Sequence, residues 1–492
     1  MKRSARVPCA LGALGALAIP ASASAHGFGS LYNLPVPFWL YAWGASAALL
    51  LSFLVTAFFA TSGTAPAPAA AARDVSEASW VRLLRRALPT LRVLSVFLLL
   101  LCIATGLFGN RDPMRNFSMT FFWIVFLLLF TYLTAFTGNF YAVLNPWRVM
   151  TDATAPFMRD HTGRVGYPQA LGDWPALAFY LGFTWFELFG HGKTFSLGAM
   201  LLVYTAINFL GTWLVGAAAW FRHCEFFSVF LRLAALMGPL DFRPAETPGA
   251  HGTLRCRKPL SGLVQERPEN LSTVVFALAM LATTAFDGLR ATQWWVSLFW
   301  NDPSGIVTAF AGTRPVLAYP MLRPWYIAWE SFWLLAAPFL YFGAYFACIV
   351  LAKLFSRSTR PLRELALDFS YTLLPIALVY NMTHYATLIL TQGVRIVSLA
   401  SDPFGRGWNL LGTAGLLRAP ILPGMGLVWH TQVGLILVGH IVSAYLAHRV
   451  ALRLWPRWAA LRSQLPLLGL MVIFTVAGLW ILAQPLTAIL MR

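Results

Sequence analysis

Long apolar segments alternate with short basic loops along this chain, and this pattern constrains the fold more than any other feature. Hydrophobic residues make up 58% of the 492 residues, charged residues only 11%, and the mean hydropathy is +0.66. A water-soluble core of this size would not hide so much apolar surface. Spanning the hydrocarbon layer takes about 20 apolar residues, and backbone polar groups in lipid must bond within the segment. The pattern therefore predicts an all-α, polytopic membrane helix bundle.

The first residues are typical of a secretory signal peptide, with a basic start, an apolar stretch and a small-residue cleavage region. These are, in order, Lys2, Arg3 and Arg6, residues 10–19, and residues 21–25. We expect cleavage after Ala25, so that 1–25 is removed and His26 becomes the mature N-terminus. The alternative is an uncleaved first membrane anchor. The remaining chain, 26–492, is then a single integral membrane domain.

Hydropathy predicts about ten transmembrane helices after the signal. Their approximate ranges are 38–60, 91–109, 118–139, 175–190, 195–219, 271–289, 326–352, 368–391, 427–447 and 464–490. A cleaved signal leaves the new N-terminus outside, and ten spans return the C-terminus to the same side.

Positive charge supports the same orientation. The loops assigned to the inside hold 22 Lys and Arg, against 10 in the outer loops and tail. These inner loops are 61–90, 140–174, 220–270, 353–366 and 448–463. Because Lys and Arg collect on the cytoplasmic side, we expect a bacterial inner-membrane protein with a periplasmic mature N-terminus. The net charge of +18 reflects this bias and favours contact with anionic lipid head groups, so no nucleic-acid partner is expected.

Ionisable residues inside predicted spans are the best pointers to function, because they are costly in lipid and usually face a cavity or a partner. The topology places five of them in the outer half of the membrane or near its middle: Asp287, Glu330, His384, His430 and His440. The alternatives are that the histidines are hydrogen-bonded packing residues or interfacial residues, and that the two carboxylates are structural ion-pair partners of Arg290 or Arg323. Glu187 and His191 are either part of this group or a surface pair one helical turn apart.

Histidine and carboxylate together form a metal-ligand set, so we expect a divalent metal, zinc or copper. His384, His440, His26 and His430 are the candidate metal ligands, and Asp287, Glu330 and Asp402 the candidate catalytic carboxylates. A metal-bound water of lowered pKa would be a nucleophile at neutral pH. Asp402, in SDPFG, either adds a carboxylate or forms a turn. A mature N-terminal His26 offers an amine and a ring nitrogen to one metal, as in a histidine brace.

The depths of two of these histidines can be compared from the predicted helices. His384 and His440 lie on consecutive, antiparallel spans, and their depths differ by roughly 9 Å at a rise of about 1.5 Å per residue. This separation favours a shared polar cavity over a shared metal.

Several common chemistries lack their motifs in this sequence. The chain has no Gly-rich phosphate loop, no Gly-x-Ser-x-Gly elbow and no CxxCH haem attachment. Nucleotide-driven transport and ordinary serine hydrolysis are therefore not favoured. A b-type haem held by two intramembrane histidines stays open.

Five stretches resemble a bacterial membrane-protein family labelled fenitrothion hydrolase. They are HGFGSLYNLPVPFWLY, AFDGL, NMTHY, SDPFGRGWNL with GTA, and VGHIVSAYLAHRVAL, which together extend from residue 26 to 452. The resemblance implies hydrolysis of the P–O–aryl bond of an organophosphorus triester, an apolar substrate that partitions into membranes.

The expected function is thus a membrane-bound organophosphorus triester hydrolase that uses a metal-activated water in an outer-half cavity. The alternatives are a copper-handling or solute-transport protein without enzymatic activity, and a haem-binding quinol redox subunit. The expected partners are the lipid bilayer, an apolar small-molecule substrate and a second membrane or periplasmic subunit.

Overall fold

The protein is an all-α helix bundle of the membrane-spanning type. The computed structural model describes residues 36–59, 72–154, 163–190, 193–243 and 252–484. Within these ranges, nine helices are long and apolar enough to cross a membrane. The predicted fold class is confirmed. The signal peptide, His26 and His191 lie outside the described residues.

The helices are numbered in chain order. The first ten are α1 (Phe38–Phe59), α2 (Ser79–Phe108), α3 (Phe117–Thr120), α4 (Thr131–Thr137), α5 (Tyr141–Leu144), α6 (Pro146–Thr154), α7 (Trp174–Phe189), α8 (Thr194–Val215), α9 (Ala217–His223) and α10 (Phe226–Ala235). The next ten are α11 (Gly262–Gln265), α12 (Leu271–Arg290), α13 (Gln293–Trp300), α14 (Ile306–Ala311), α15 (Tyr319–Ser356), α16 (Leu362–Ser370), α17 (Leu374–Thr391), α18 (Ile396–Ser401), α19 (Met425–Leu454) and α20 (Arg457–Ala483).

A small antiparallel sheet accompanies the helices. Its strands are β1 (Arg73–Asp74), β2 (Leu240–Arg243) and β3 (Thr253–Cys256), in the order β1–β3–β2. The central strand β3 pairs Arg255 with Asp74 on one side and with Asp241 on the other. The sheet thus joins two of the predicted basic loops, 61–90 and 220–270.

Nine of the ten predicted spans correspond to the nine long helices, and the tenth differs. The predicted span 175–190 is α7, which has 16 residues and is about 24 Å long at 1.5 Å per residue. It falls short of the hydrocarbon thickness of about 30 Å. Helix α2 also begins at Ser79, twelve residues before the predicted start, because its first turns carry arginines that hydropathy assigns to a loop.

One span contains a long irregular segment. Residues Phe121–Phe130 between α3 and α4 form a π-helix with the sequence FFWIVFLLLF. All ten residues are apolar, so hydropathy alone predicts an ordinary helix here. π-Helical turns are uncommon and occur frequently at functional sites. This segment packs against α17, which carries His384.

Helix α12 is the centre of the bundle. It packs against α7, α15, α16, α17 and α20, and 94% of its spanning window is buried inside the protein, whereas the first two spans are 22% buried. Its last turn carries Asp287 and Arg290. We call the end of the bundle at which α12 ends the Arg290 end, and the opposite end, where α19 carries His448, the His448 end.

Two glycines allow α2 and α8 to touch backbone to backbone. A Cβ atom built on Gly106 would lie 2.8 Å from the Cα of Gly198 and 2.9 Å from its nitrogen. Small residues at such crossings let membrane helices pack closely, where van der Waals contact replaces a hydrophobic driving force.

We expect Gly106→Ala to destabilise the fold by about 1–3 kcal/mol, because the added methyl group overlaps backbone atoms that cannot rotate away. The matched control is Gly469→Ala in α20, where a Cβ meets nothing within 4 Å, and the better helix former should leave the melting temperature unchanged or raise it. Thermal unfolding in detergent measures both. Equal melting temperatures for the two variants would show that the α2–α8 crossing is not this close.

Candidate functional site

Three side chains meet where α12 faces α17. The Oδ2 atom of Asp287 lies 3.1 Å from His384 Nε2 and accepts a hydrogen bond of 2.8 Å from the Tyr385 hydroxyl. The rings of His384 and Tyr385 stand edge to face, with centroids 4.6 Å apart. Because Asp287 accepts from His384, the imidazole holds a proton on Nε2 when the carboxylate is ionised. Asp287 thereby fixes both the orientation and the tautomer of the ring.

A second group of three side chains adjoins the first through Arg290. This arginine lies one turn after Asp287 on the same face of α12. It forms a two-pronged ion pair with Glu330 of α15, with Nη2–Oε2 at 3.0 Å and Nε–Oε1 at 3.3 Å. Tyr326, one turn before Glu330, donates to Oε1 at 2.9 Å. The remaining nitrogen, Arg290 Nη1, lies 4.0 Å from Asp287 Oδ1 and donates no hydrogen bond within the described chain.

This six-residue group, which we call the charge cluster, is deeply buried. Asp287, Arg290 and Glu330 are 4%, 8% and 2% exposed, and the His384 side chain is 6% exposed. Glu187 of α7 interacts electrostatically with Asp287. With formal charges of −1 on Asp287 and Glu330 and +1 on Arg290, and with His384 and Glu187 neutral, the charge cluster has one excess negative charge. A buried uncompensated charge is costly, so the cluster favours one additional positive charge.

The π-helical segment supports the α17 side of the charge cluster. Its Ile124 and Leu128 form one apolar group with Tyr385 and Leu388. The Tyr132 hydroxyl, just beyond the π-helix, donates to Asn381 Oδ1 at 2.9 Å. The segment therefore contacts α17 on both sides of His384, and a change between π- and α-helical winding would move these contacts.

His440 lies deeper in the bundle and has no direct contact with the charge cluster within the described chain. Its ring is 2% exposed, and Nδ1 lies 2.8 Å from the carbonyl oxygen of Ile436. Because a carbonyl only accepts, Nδ1 carries the proton. Nε2 then presents a lone pair and has no partner within the described chain.

Two other candidate residues are held away from the cluster by contacts of their own. His430 is exposed, and its Nδ1 lies 2.6 Å from the carbonyl of Gly426 in the first turn of α19. Both carboxylate oxygens of Asp402 accept backbone N–H groups of its own turn, from Arg406 at 2.8 Å and Gly407 at 2.7 Å. The sequence left two roles open for Asp402, a further carboxylate at the site or a turn residue. In the structure its carboxylate caps the turn.

The described residues do not fit a metal site. No three His, Cys, Asp or Glu side chains among them are arranged to hold a metal ion. In the charge cluster, Asp287 and Glu330 already accept hydrogen bonds and lie beside Arg290. A metal ion bound by these carboxylates would lie close to the arginine and be repelled by its positive charge.

Sequence reasoning missed the two tyrosines of the charge cluster. Tyr385 follows His384 directly in NMTHY, and Tyr326 precedes Glu330 by four residues, so both signals were present. Tyrosine is common at membrane interfaces, however, and spacing alone does not separate an interfacial tyrosine from one that donates to a buried carboxylate.

A second polar cluster, at the start of α7, is fully paired and therefore structural. Asp173 contacts His223 Nδ1 at 2.7 Å, the Thr273 hydroxyl at 2.6 Å and Arg232 at 3.4 Å. Burial raises the pKa of the Asp173 carboxyl, but the hydrogen bond with His223 and the charge of Arg232 outweigh burial and hold this pKa below its usual range. Each acceptor is used, and the cluster joins the starts of α7 and α12.

An apolar groove of about 580 Å³ lies along α20. It is lined by Phe38, Trp294, Val472, Ile473, Val476, Ala477 and Trp480. The next residue along α20, Ile481, contacts Gly288, and a Cβ on Gly288 would also lie 3.3 Å from His384 Cε1. Helix α20 thus lines the groove and also contacts α12 beside Asp287.

Comparisons with protein-family models, with curated proteins and with solved structures find no match for this chain. The family resemblance of the five sequence stretches therefore stays a prediction. Two of them, AFDGL and NMTHY, contribute the aspartate and histidine that meet in the charge cluster.

Proposed function

We propose that the protein transfers protons across the membrane, with His384 as the residue that takes up and releases the proton at the Arg290 end. The observation that carries this proposal is the charge imbalance of the cluster, in which Asp287 and Glu330 share Arg290. Protonation of His384 makes the cluster neutral, and deprotonation restores the excess negative charge. Intramembrane carboxylate and histidine chains are the usual proton relays of pumps and transporters.

The other side chains define how the proton is held. Asp287 accepts from His384 Nε2 and stabilises the imidazolium, so Nδ1 is the nitrogen at which the mobile proton is gained and lost. Arg290 and Tyr326 donate hydrogen bonds directly to the Glu330 carboxylate. The excess of basic residues in the loops at the opposite end favours a periplasmic position for this site.

The test is proton entry into liposomes that contain the purified protein and a trapped pH-sensitive dye. A potassium gradient with valinomycin sets an inside-negative potential, and internal acidification is recorded. We expect internal acidification with the wild type. With Asp287→Asn the rate of acidification should fall by about 100-fold or more, since the amide no longer stabilises the His384 imidazolium. No acidification with the wild type, or an equal rate with the variant, would contradict the proposal.

A second candidate, hydrolysis of an organophosphorus triester, is favoured by the His384–Asp287 pair and the neighbouring apolar groove. His384 would remove a proton from water, and the water oxygen would form a bond to phosphorus as the aryloxide leaves with the electrons of the P–O bond. Arg290 Nη1, which donates no hydrogen bond within the described chain, would donate to the phosphoryl oxygen. An apolar triester would enter from the lipid through the groove.

Nitrophenolate release from a p-nitrophenyl phosphotriester by the same purified sample separates the two functions. Turnover that Asp287→Asn removes, without acidification of the liposomes, would replace proton transfer by hydrolysis. Metal analysis of this sample decides whether the predicted zinc or copper is present.

A further inference from the structure

Apart from the indole Nε1 of Trp429, five buried polar atoms without hydrogen-bond partners in the described chain lie along α17, α19 and α20. They are Tyr380 Oη, His440 Nε2, Ser443 Oγ, His448 Nε2 and Gln464 Oε1. All five residues are at least nine-tenths buried, with exposures of 4%, 2%, 0%, 0% and 2%. Such atoms also occur elsewhere, as at Thr134 and Trp300, but these five lie at successive levels of three helices that pack against one another.

Tyr380 and His440 lie at the level nearest the charge cluster. Tyr380 lies one helical turn before His384 on α17, and its ring packs against Gly478 of α20. Gly439 packs against Val379, so His440 lies about five residues, or roughly 8 Å, below His384 along the bundle. The hydrogen bond of His440 to Ile436 turns the ring back toward the Arg290 end.

The other three residues lie nearer the His448 end, where His448 packs edge to face against Phe53 of α1. Ser443 follows His440 by about 4.5 Å along α19, and His448 follows Ser443 by about 7.5 Å. His448 Nδ1 accepts from Gln464 Nε2 at 3.0 Å, so Nε2 carries the proton. Two basic residues in the last turns of α19, Arg449 and Arg453, follow toward the loop assigned to the cytoplasm.

The five atoms alternate in chemistry in a way that suits bound water. Tyr380 and His448 Nε2 donate, His440 Nε2 and Gln464 Oε1 accept, and the Ser443 hydroxyl does both. An unpaired buried donor or acceptor costs about 1–3 kcal/mol, and bound water is the usual partner of a buried polar group that has none in the protein. If only apolar side chains surrounded these five atoms, all five would stay without a hydrogen bond.

We propose that a hydrated proton path runs through the bundle from His384, past Tyr380, His440 and Ser443, to Gln464 and His448. It connects the charge cluster with the His448 end, and protons move along it by exchange between water, hydroxyl and imidazole groups. The inference that protons move along this path rests on the proton-transfer function proposed above. The inference that the path contains water does not depend on that function.

Hydration is tested by X-ray hydroxyl-radical footprinting of the full-length protein in detergent, because radicals form from water at the labelled side chain. Tyr380 is compared with Tyr345, which is 0% exposed and whose hydroxyl donates to the Ala366 carbonyl at 2.6 Å. We expect Tyr380 and His440 to be oxidised about tenfold faster than Tyr345, as bound water requires. Oxidation of both at the rate of Tyr345 would overturn the hydrated path.

Use of the path is tested with matched serine variants in the liposome assay. Ser443→Ala removes an unpartnered hydroxyl, whereas Ser370→Ala removes an equally buried one that is bonded to the Leu367 carbonyl. We expect an about tenfold slower acidification with Ser443→Ala and the wild-type rate with Ser370→Ala, with both variants folded by their melting temperatures. Equal rates would overturn the path. If the wild type itself moves no protons, the proposed function fails and footprinting alone decides the hydrated path.

Discussion

Replacing Arg290 by methionine is expected to destabilise the folded protein by about 3–5 kcal/mol, the usual cost of removing one partner from a buried ion pair. Methionine keeps most of the side-chain length but leaves Glu330, which is 2% exposed, without its cation. The excess negative charge of the cluster then rises from one to two. Unfolding by heat or by SDS titration, followed by circular dichroism, measures the loss.

Two comparison variants separate charge from packing. Arg323→Met removes an exposed arginine from the same helix as Glu330 and should change the free energy of unfolding by less than about 0.5 kcal/mol. In the double variant Arg290→Met with Glu330→Gln, the unpaired carboxylate is gone, so it should be more stable than Arg290→Met alone. If Arg290→Met unfolds at the wild-type temperature, the cluster is not held together by charge.

The spans were predictable because lipid is the solvent. A segment in hydrocarbon must be long, apolar and helical, so length and composition locate it without knowledge of its neighbours. The predictions differ from the structure at two places where a helix is too short or too basic to be a complete span. Helix α7 has the apolar composition of a span but only 16 residues, and the first turns of α2 are too basic for a span although they are helical.

The charge cluster was predictable in depth but not in partners. The predicted helices place Asp287, Glu330 and His384 in the outer half of the membrane or near its middle. In the structure His384 contacts Asp287, and Arg290 lies between Asp287 and Glu330. Which side chains face one another depends on helix rotation and tilt, which packing decides. Hence Tyr326 and Tyr385 were not predicted as members of the charge cluster. Asp402, which the predicted topology places on the same side of the membrane, accepts hydrogen bonds from its own turn instead.

The interior contains two kinds of polar group, and the difference supports the placement of function. Glu225 is fully buried, and both its oxygens are paired, with Tyr204, Asn145 and the first amides of α10. Asp173 is paired in the same way. Such saturated groups fix helix positions. Among the described residues, Arg290 Nη1 and the five polar atoms from Tyr380 to His448 have no hydrogen-bond partner, and the proposed proton transfer uses this free capacity.

His384→Gln is expected to abolish proton transfer, with a loss of about 100-fold or more, while the protein stays folded in the membrane. Glutamine retains an amide N–H that can donate to Asp287 but has no group that takes up a proton near neutral pH. The measurement is acidification of the liposome interior, with the melting temperature recorded on the same sample. His430→Gln is the matched comparison, because that ring is exposed and bonds locally to Gly426, and it should retain the wild-type rate.

The pattern of rates across the histidines distinguishes a proton site from a packing role. If His384 is a packing residue, the variant should have a lower melting temperature and an unchanged rate of proton transfer per folded molecule. If it is a proton site, the variant should have an unchanged melting temperature and a lower rate. His440→Ala should also slow transfer, because it removes the acceptor next below Tyr380, whereas its distance from the charge cluster leaves Asp287 and Glu330 in place. Wild-type rates for both His384→Gln and His440→Ala would make these histidines packing residues, and the carboxylates alone would then have to hold the proton.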